Sequence, residues 1–215
     1  MRLMTKTEID GFLKALQEDN PHPKGELYWT NSYTLLVTVT LSAQATDKGV
    51  NKATKPLFEV ISTPQDMLDL GEDGLKSYIK TIGLYNAKAK NLMASAQILV
   101  DQFQGEVPQT REALMQLPGV GRKTANVVLN VAFGQPTIAV DTHLFRVSNR
   151  TGLAFGKTPE QVEIALLKRI PQTYRHDVHH WLILLGRYIC KARKPECYHC
   201  PAKDFCQYDQ KCLEF

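Results

Sequence analysis

The chain has 215 residues, a length that suits one large domain or two small ones. Hydrophobic residues make up 43% and charged residues 22%, an ordinary balance that excludes a largely disordered chain. The formal net charge of +4 permits a polyanionic partner but does not require one.

No part of the sequence has the pattern of an export signal or a membrane span. Charged residues interrupt the apolar positions of residues 1–20, so we do not expect a secretory signal. The longest uncharged run, residues 27–46, is too rich in Thr, Ser, Asn and Gln to cross a membrane. We therefore expect a cytoplasmic protein with no membrane partner.

Helix signals dominate the chain and predict an all-α fold. Residues 37–40 alternate like a strand but have no partner strand nearby, so we interpret them as part of a buried helix. Thr63-Pro64 and Thr158-Pro159 each place a capping side chain before a proline, which predicts two helix starts. Apolar residues recur at helical spacing over 85–103 and 158–170.

The pattern of residues 111–116, 117–121 and 122–133 predicts a helix, a tight turn and a second helix. Gly119 and Gly121 permit positive φ, and their missing Cβ atoms leave room for a phosphate at the start of the second helix. Such a contact would hold DNA without reading its sequence. An ordinary helix connection is the alternative, because glycine and proline are common in turns.

Lys123 falls in the first turn of the second helix. A primary amine there could act as a nucleophile and form a Schiff base, which a hydroxyl cannot do. Only the neutral amine attacks; the helix dipole and Arg122 favour that form, whereas DNA phosphates oppose it. Judged by residue type alone, a plain phosphate contact is the commoner role for such a lysine.

The segment 134–136 ends the second helix and is the best candidate for a domain boundary. After it, Asp141 stands before a predicted helix that runs through Arg150, where it can serve as the N-cap. A catalytic carboxylate could occupy the same position. Eighteen positions separate Asp141 from Lys123, so only folding can bring the two together.

Four of the five cysteines fall within seventeen residues, with six, two and five residues between them: Cys190, Cys197, Cys200 and Cys206. Such bunching without an export signal favours a metal site over disulfides. Zinc and a 4Fe-4S cluster both fit four thiolates, and the single Cys-x-x-Cys pair modestly favours iron-sulfur. A register that uses Cys212 and omits Cys190 is the alternative.

Three cations follow the first of these cysteines: Lys191, Arg193 and Lys194. If both ends of this loop are tied to a cluster, it can present its charges to a phosphate backbone. A solvated basic loop is the equally common alternative.

Three of these features, taken together, closely resemble the endonuclease III family of helix-hairpin-helix DNA glycosylases. They are the hairpin sequence of residues 117–125, the Val-Asp-Thr-His segment at 140–143, and the 6-2-5 cysteine spacing. The resemblance runs from about Leu27 to Cys206. It implies two helical lobes that flank a DNA cleft.

The resemblance also implies the limits of the lobes and the cofactor. A helical barrel would cover residues 23–135, with the hairpin at 111–133, and residues 1–22 plus 136–215 would form the second lobe. The four bunched cysteines would bind a 4Fe-4S cluster in that lobe. The chain would act as a monomer.

The activity that the resemblance implies is base excision repair of DNA by a bifunctional glycosylase and abasic-site lyase. Lys123 would be the nucleophile, and Asp141 would assist proton transfer. The substrates would be double-stranded DNA with oxidised pyrimidines or abasic sites, cut 3′ to the abasic site by β-elimination.

Family segments at 41–47 and 81–85 imply that Gln44 and Leu84 fill the space that an extruded nucleotide leaves. By residue type, Gln44 is more simply a polar residue at a helix end, and Leu84 a core leucine. The hairpin residues expected to contact DNA are Leu117, Gly119, Val120, Gly121 and Arg122.

Two other functions fit part of the sequence. A monofunctional mismatch glycosylase would share the fold and cluster but would be expected to lack the Lys123 nucleophile. A non-catalytic DNA-binding protein could use the hairpin alone and keep the cluster as a structural element.

Overall fold

The computed structural model describes residues 2–214 and contains no β-strand in that range. Its α-helices are α1 (Lys6–Asp19), α2 (Ser32–Leu41), α3 (Asp47–Leu57), α4 (Pro64–Ile79), α5 (Tyr85–Phe103), α6 (Arg111–Leu114), α7 (Arg122–Phe133), α8 (Thr142–Thr151), α9 (Pro159–Arg169) and α10 (Val178–Leu184). Short helical turns occur at Gln172–Tyr174, Leu185–Ile189 and Cys197–His199. The predicted all-α fold is confirmed.

The chain divides into two compact units. The barrel unit, as we call it here, spans Glu26–Gln135. The cysteine unit combines the N-terminal segment that ends at Gly25 with the C-terminal segment that begins at Pro136. Each unit has its own hydrophobic core.

Helix α2 lies inside the barrel unit, where it packs against α7, and the predicted buried helix at 37–40 is confirmed. Its threonines are buried because their hydroxyl groups find backbone partners. The Thr40 hydroxyl donates to the Leu36 carbonyl at 2.8 Å, and the Thr38 hydroxyl donates to the Tyr28 carbonyl at 3.0 Å. A polar side chain can enter a core at low cost when it is hydrogen-bonded in this way.

The two helix starts predicted from Thr-Pro pairs are confirmed. The Thr63 and Thr158 side chains each accept a hydrogen bond from a backbone N–H three residues later, and the following proline is the first helical residue. Proline is tolerated there because its missing N–H would have had no partner inside the helix. Helix α5 also covers the predicted range 85–103.

The first hairpin helix is two residues shorter than predicted. Helix α6 ends at Leu114 rather than Gln116. The N–H of Gln116 bonds to the carbonyl of Ala113, and the N–H of Leu117 bonds to that of Leu114. These tighter bonds, three residues apart, turn the chain toward the glycine segment before another α-helical turn can form.

In the cysteine unit, α1 contributes Phe12 and Leu13 to the core beside residues of α8, α9 and α10. Several polar contacts fasten the N-terminal segment to the C-terminal one. The Trp181 indole N–H donates to the carbonyl of Asn20 at 2.8 Å, and the Arg169 guanidinium donates to that of Met4 at 2.5 Å. In residues 2–214, no helix is both long and apolar enough to cross a membrane.

Candidate functional site

The apolar side chains of the hairpin turn anchor it in the core of the barrel unit. Leu117 and Val120 are buried, and the N–H of Val120 donates to the Leu117 carbonyl at 3.0 Å. The Ser95 hydroxyl on α5 donates to the Pro118 carbonyl at 3.0 Å. The side chains of Leu117 and Val120 are therefore committed to the core rather than to a ligand at this turn.

The two hairpin glycines differ in conformation. Gly119 has φ of +82°, and a Cβ there would lie 3.1 Å from Nδ2 of Asn91. Gly121 has φ of −92°, and a Cβ there would meet nothing within 4 Å. Glycine permits positive φ at both positions, but only Gly119 adopts it. Gly121 is the N-cap of α7 and, having no side chain, leaves the first N–H groups of the helix accessible.

Lys123 is the second residue of α7, and its side chain is exposed. Ala125, Val128 and Leu129 form the packing face of the helix and are at most 2% exposed. Because this face anchors the helix in the core, the position of Lys123 is set by packing rather than by contacts of its own. The preceding residue, Arg122, is half-buried.

Asp141 is the N-cap of α8, as its place in the sequence predicted. Its Oδ1 accepts from the backbone N–H groups of His143 at 2.8 Å and Leu144 at 2.9 Å. Its Oδ2 lies 3.1 Å from Nδ1 of His143, and the Asp141 side chain is 13% exposed. The carboxylate is thus held in one orientation. The His143 contact was missed from sequence, although an Asp-x-His pair at a helix start is a usable signal.

Lys123 belongs to the barrel unit and Asp141 to the cysteine unit. Each side chain is held by its own unit. The amine is carried by a packed helix, and the carboxylate is oriented by backbone N–H groups at the start of another.

The four bunched cysteines line one pocket of the cysteine unit: Cys190, Cys197, Cys200 and Cys206. Cys212 is exposed and is not part of the pocket lining. Arg150, Lys203 and Lys211 line the same pocket. Among residues 2–214, no three His, Cys, Asp or Glu side chains are grouped closely enough for a single metal ion.

Two arginines of α8 hold the chain around Cys190. The Arg146 guanidinium donates to the carbonyls of Cys190 at 3.1 Å and Gly186 at 2.6 Å. The Arg150 guanidinium donates to the Lys191 carbonyl at 2.6 Å and lies 3.6 Å from Sγ of Cys190. Sequence reasoning missed both, because contacts between residues forty or more positions apart leave no local pattern.

The pocket suits an anionic cluster bound by thiolates. Burial raises the pKa of the Cys200 thiol to about 11, and it also raises the pKa values of Cys190 and Cys206. Burial thus disfavours the thiolate form of these three cysteines, whereas metal ligation requires thiolates and favours them. The three cations of the lining would offset the negative charge that four thiolates bring.

Not all three cations of the basic loop after Cys190 are exposed and unpaired, as the sequence had suggested. Lys191 forms an ion pair with Glu196, whose other oxygen lies 3.6 Å from His199. Arg193 and Lys194 are exposed. The loop therefore offers two exposed cations, while the charge of the third is offset within the loop.

Gln44 and Leu84 share an unusual backbone conformation. Their φ values are 55° and 59°, in the left-handed region that costs a non-glycine residue about 1–2 kcal/mol. The Leu84 side chain is 66% exposed, so its interpretation as a core leucine is wrong. Gln44 is exposed as well. A strained backbone under an exposed apolar side chain is typical of a functional position.

Comparisons with known proteins agree with this geometry. The family model of the HhH-GPD superfamily base excision DNA repair proteins matches residues 37–172. Endonuclease III of Haemophilus influenzae is 60% identical over 212 residues, which cover 99% of this chain and 100% of that protein. Endonuclease III of Escherichia coli K12 is 58% identical over 208 residues, 97% of this chain and 99% of that protein.

The chain belongs to the endonuclease III family. It is a bifunctional DNA glycosylase and abasic-site lyase of base excision repair. The endonuclease III family carries a 4Fe-4S cluster, and the four C-terminal cysteines are present in this chain. The non-catalytic alternative and the monofunctional one are therefore set aside.

A solved endonuclease III has the same fold. That structure, a trapped covalent intermediate of endonuclease III with DNA described as an estranged-adenine complex, matches with a TM-score of 0.88 and 46% identity. The match covers 95% of this chain and 97% of that one.

Proposed function

We propose that Lys123 is the nucleophile of this endonuclease III homologue. Its amine attacks C1′ of the damaged nucleotide, the bond from C1′ to the base breaks, and the base leaves with the electron pair and a proton. The sugar ring then opens as C1′ becomes an imine of Lys123. The observation that carries the proposal is an exposed primary amine in the first turn of α7, directly after the Gly119 turn.

Strand scission follows from the same imine. Loss of a proton from C2′ lets the 3′ phosphate leave by β-elimination, and water then releases Lys123. The iminium makes this proton acidic because it can accept the electron pair. A glycosylase that used activated water alone would form no such intermediate, so the abasic-site lyase activity of the family supports an amine at this position.

Asp141 is proposed to assist both steps through its carboxylate. The two backbone N–H bonds to Oδ1 orient the group, and Oδ2 lies beside His143. A carboxylate fixed in this way can stabilise positive charge that develops on the sugar and receive a proton from the attacking amine.

Cys190, Cys197, Cys200 and Cys206 are proposed to bind the 4Fe-4S cluster. Their shared pocket supports this set over the register with exposed Cys212. The cluster would supply structure rather than base removal. The chain's own residues do the rest: α8 holds the loop through Arg150, and exposed Arg193 and Lys194 are available for phosphates.

DNA with oxidised pyrimidines or abasic sites is the proposed partner, held at the hairpin by the backbone N–H groups of Gly119 and Gly121. Gln44 and Leu84 are proposed to fill the duplex after extrusion of the nucleotide; their exposure and strained backbone support this, as does the estranged adenine of the solved relative. We also propose a cytoplasmic, nucleoid-associated monomer with lobes at 23–135 and at 1–22 plus 136–215.

Borohydride trapping tests the nucleophile. The protein is incubated with a duplex that contains one abasic site, and borohydride reduces any imine to a stable adduct. We expect an adduct with the native protein and with the control Lys52→Ala, another exposed lysine of the barrel unit, and none with Lys123→Ala. An undiminished adduct and strand scission in Lys123→Ala would refute the proposal.

The carboxylate has its own test. Asp141→Asn keeps an oxygen that can accept the N–H bonds of the cap, so α8 should remain folded. We expect glycosylase turnover to fall by about 10²- to 10⁴-fold, the usual range for a positioned proton-transfer group. Turnover within a factor of two of the native value would remove Asp141 from the mechanism.

A further inference from the structure

One buried cation in the barrel unit has no role in the mechanism above. Lys88, on α5, is only 7% exposed. Its Nζ donates to the carbonyls of Leu41 at 2.9 Å and Ala43 at 2.6 Å. Burying an ammonium group is costly unless it is hydrogen-bonded, and here both partners are backbone carbonyls.

These two carbonyls are suited to a cation. Leu41 is the last residue of α2, and the last carbonyls of a helix have no partner inside the helix. They also form the negative end of the helix dipole. The Lys88 ammonium therefore caps the C-terminal end of α2, directly before the loop that contains Gln44. Burial lowers the pKa of the Lys88 ammonium, which reflects the cost of removing it from water.

Lys88 also lies one helical turn after Leu84, the second exposed residue with positive φ, so its side chain extends from the turn that Leu84 begins. Its backbone N–H donates to the Leu84 carbonyl at 3.0 Å, in the first turn of α5. Leu84 is the N-cap of that helix. One residue thus links the positive-φ turn at Leu84 to Ala43, the neighbour of the positive-φ residue Gln44.

We propose that Lys88 is a positioning residue that holds the Gln44 loop and the Leu84 turn in fixed register, so that both side chains enter the duplex together. This inference rests on the proposed filling role of Gln44 and Leu84. Both loops carry strained residues, and a strained conformation persists only where its surroundings fix it. The buried hydrogen bonds of Lys88 supply that restraint.

The test compares two DNA substrates. One is a duplex with an oxidised pyrimidine, where the enzyme must separate a pair and fill the gap. The other is a single strand with an abasic site, which has no partner base to displace. The variant Lys88→Met keeps the length of the side chain but cannot donate. The control Lys90→Met removes an exposed lysine from the same helix.

We expect Lys88→Met to lower turnover on the duplex by about ten- to a hundredfold, because small misplacement of positioning groups has effects of this size. Scission of the abasic single strand should stay within about twofold of the native rate, which a general loss of structure would not allow. When the native enzyme separates the pair, 2-aminopurine placed opposite the lesion should unstack and its fluorescence should rise. With Lys88→Met this increase should be lost. Lys90→Met should match the native protein in all three.

A second readout asks whether Lys88 acts through Gln44. In a Gln44→Ala background, adding Lys88→Met should lower duplex turnover less than it does in the native protein, because residues that act as one unit are not additive. Equal loss on both substrates, or full additivity with Gln44→Ala, would overturn the proposal. If Lys88→Met does not fold, Lys88→Gln, whose side chain is uncharged and one atom shorter, is put through the same comparison, with the same selective loss on the duplex expected and the same outcomes overturning the proposal.

The proposed function and this inference fail in different ways. If Gln44→Ala and Leu84→Ala leave duplex turnover unchanged, the filling role is wrong, and the inference falls with it. If both variants are impaired but Lys88→Met is not, the filling role stands and only the inference is wrong.

Discussion

The barrel unit and the cysteine unit hold their functional groups in different ways. In the barrel unit, packed helices fix the backbone, and the groups of interest project from turns and helix starts, as with Lys123, Gly119 and Leu84. In the cysteine unit, polar contacts do more of the work: backbone N–H groups orient Asp141, and Arg150 holds the loop after Cys190. Packing therefore positions the proposed nucleophile, whereas hydrogen bonds position the proposed catalytic carboxylate and, together with the proposed cluster ligation, the basic loop.

Removing the iron should give the largest difference between the two units. Without metal, the four cysteines proposed as ligands would lose the bonds that favour their thiolates, and the loop around them would lose these cross-links. We expect hydrogen-exchange protection to fall by more than about a hundredfold between residues 186 and 207, with α7 unchanged. Mass spectrometry of exchanged peptides measures both. Equal loss of protection in α7 would mean that the barrel unit also depends on the cluster.

Truncating one core leucine in each unit should destabilise both units but lower the iron content only when the change lies in the cysteine unit. Leu129 on α7 and Leu166 on α9 are at most 2% exposed, one in each unit. Each change to Ala should lower the free energy of unfolding by about 2–5 kcal/mol, because a cavity adds to the lost burial. Denaturant titration measures this, and iron analysis gives the contrast: Leu129→Ala should keep its iron, whereas Leu166→Ala should bind less. Iron loss in Leu129→Ala alone would contradict the account.

The hairpin glycines offer a smaller, matched pair. Gly119→Ala should cost about 1–2 kcal/mol of stability, because alanine is strained at positive φ and its Cβ would lie 3.1 Å from Asn91. Gly121→Ala has ordinary φ and open space, so only the poorer N-cap preference of alanine remains, and we expect a smaller cost of about 0.5–1 kcal/mol. Thermal melting distinguishes them. Equal costs at the two positions would show that backbone strain does not distinguish these glycines.

The smallest expected effect is a change in stability at acidic pH, caused by Glu8 in the N-terminal segment of the cysteine unit. The Arg2 guanidinium and the Thr5 N–H hold the pKa of Glu8 down to about 2, from an ordinary 4.5. A lowered carboxyl pKa contributes stability above 4.5 that is lost as the pH falls toward 2. Glu8→Gln should therefore melt slightly lower at pH 7 and show a flatter pH dependence between these values. An unchanged slope in that window would exclude the contribution.

Local features of the fold could be predicted from sequence because their causes are local. The Thr63 and Thr158 caps, the α5 range and the N-cap role of Asp141 each depend on residues within a few positions of one another. The end of α6 was missed by two residues, since a tightened last turn has no sequence mark of its own.

Other features of the site depend on contacts that no local pattern contains. Lys88 meets Ala43 forty-five positions away, and Arg150 meets Lys191 forty-one positions away. The positive φ of Leu84 is equally hidden, because leucine rarely adopts it and only the packed surroundings impose it. The roles of Lys123, Asp141 and the four pocket cysteines stay predictions.

Peptide mapping of the borohydride-reduced adduct tests the central claim most directly. The covalent complex is digested with protease and nuclease, and mass spectrometry locates the residue that carries the sugar remnant. The account predicts the remnant on Lys123, in the peptide from the first turn of α7. A remnant on any other lysine, or on the N-terminal amine, would contradict it.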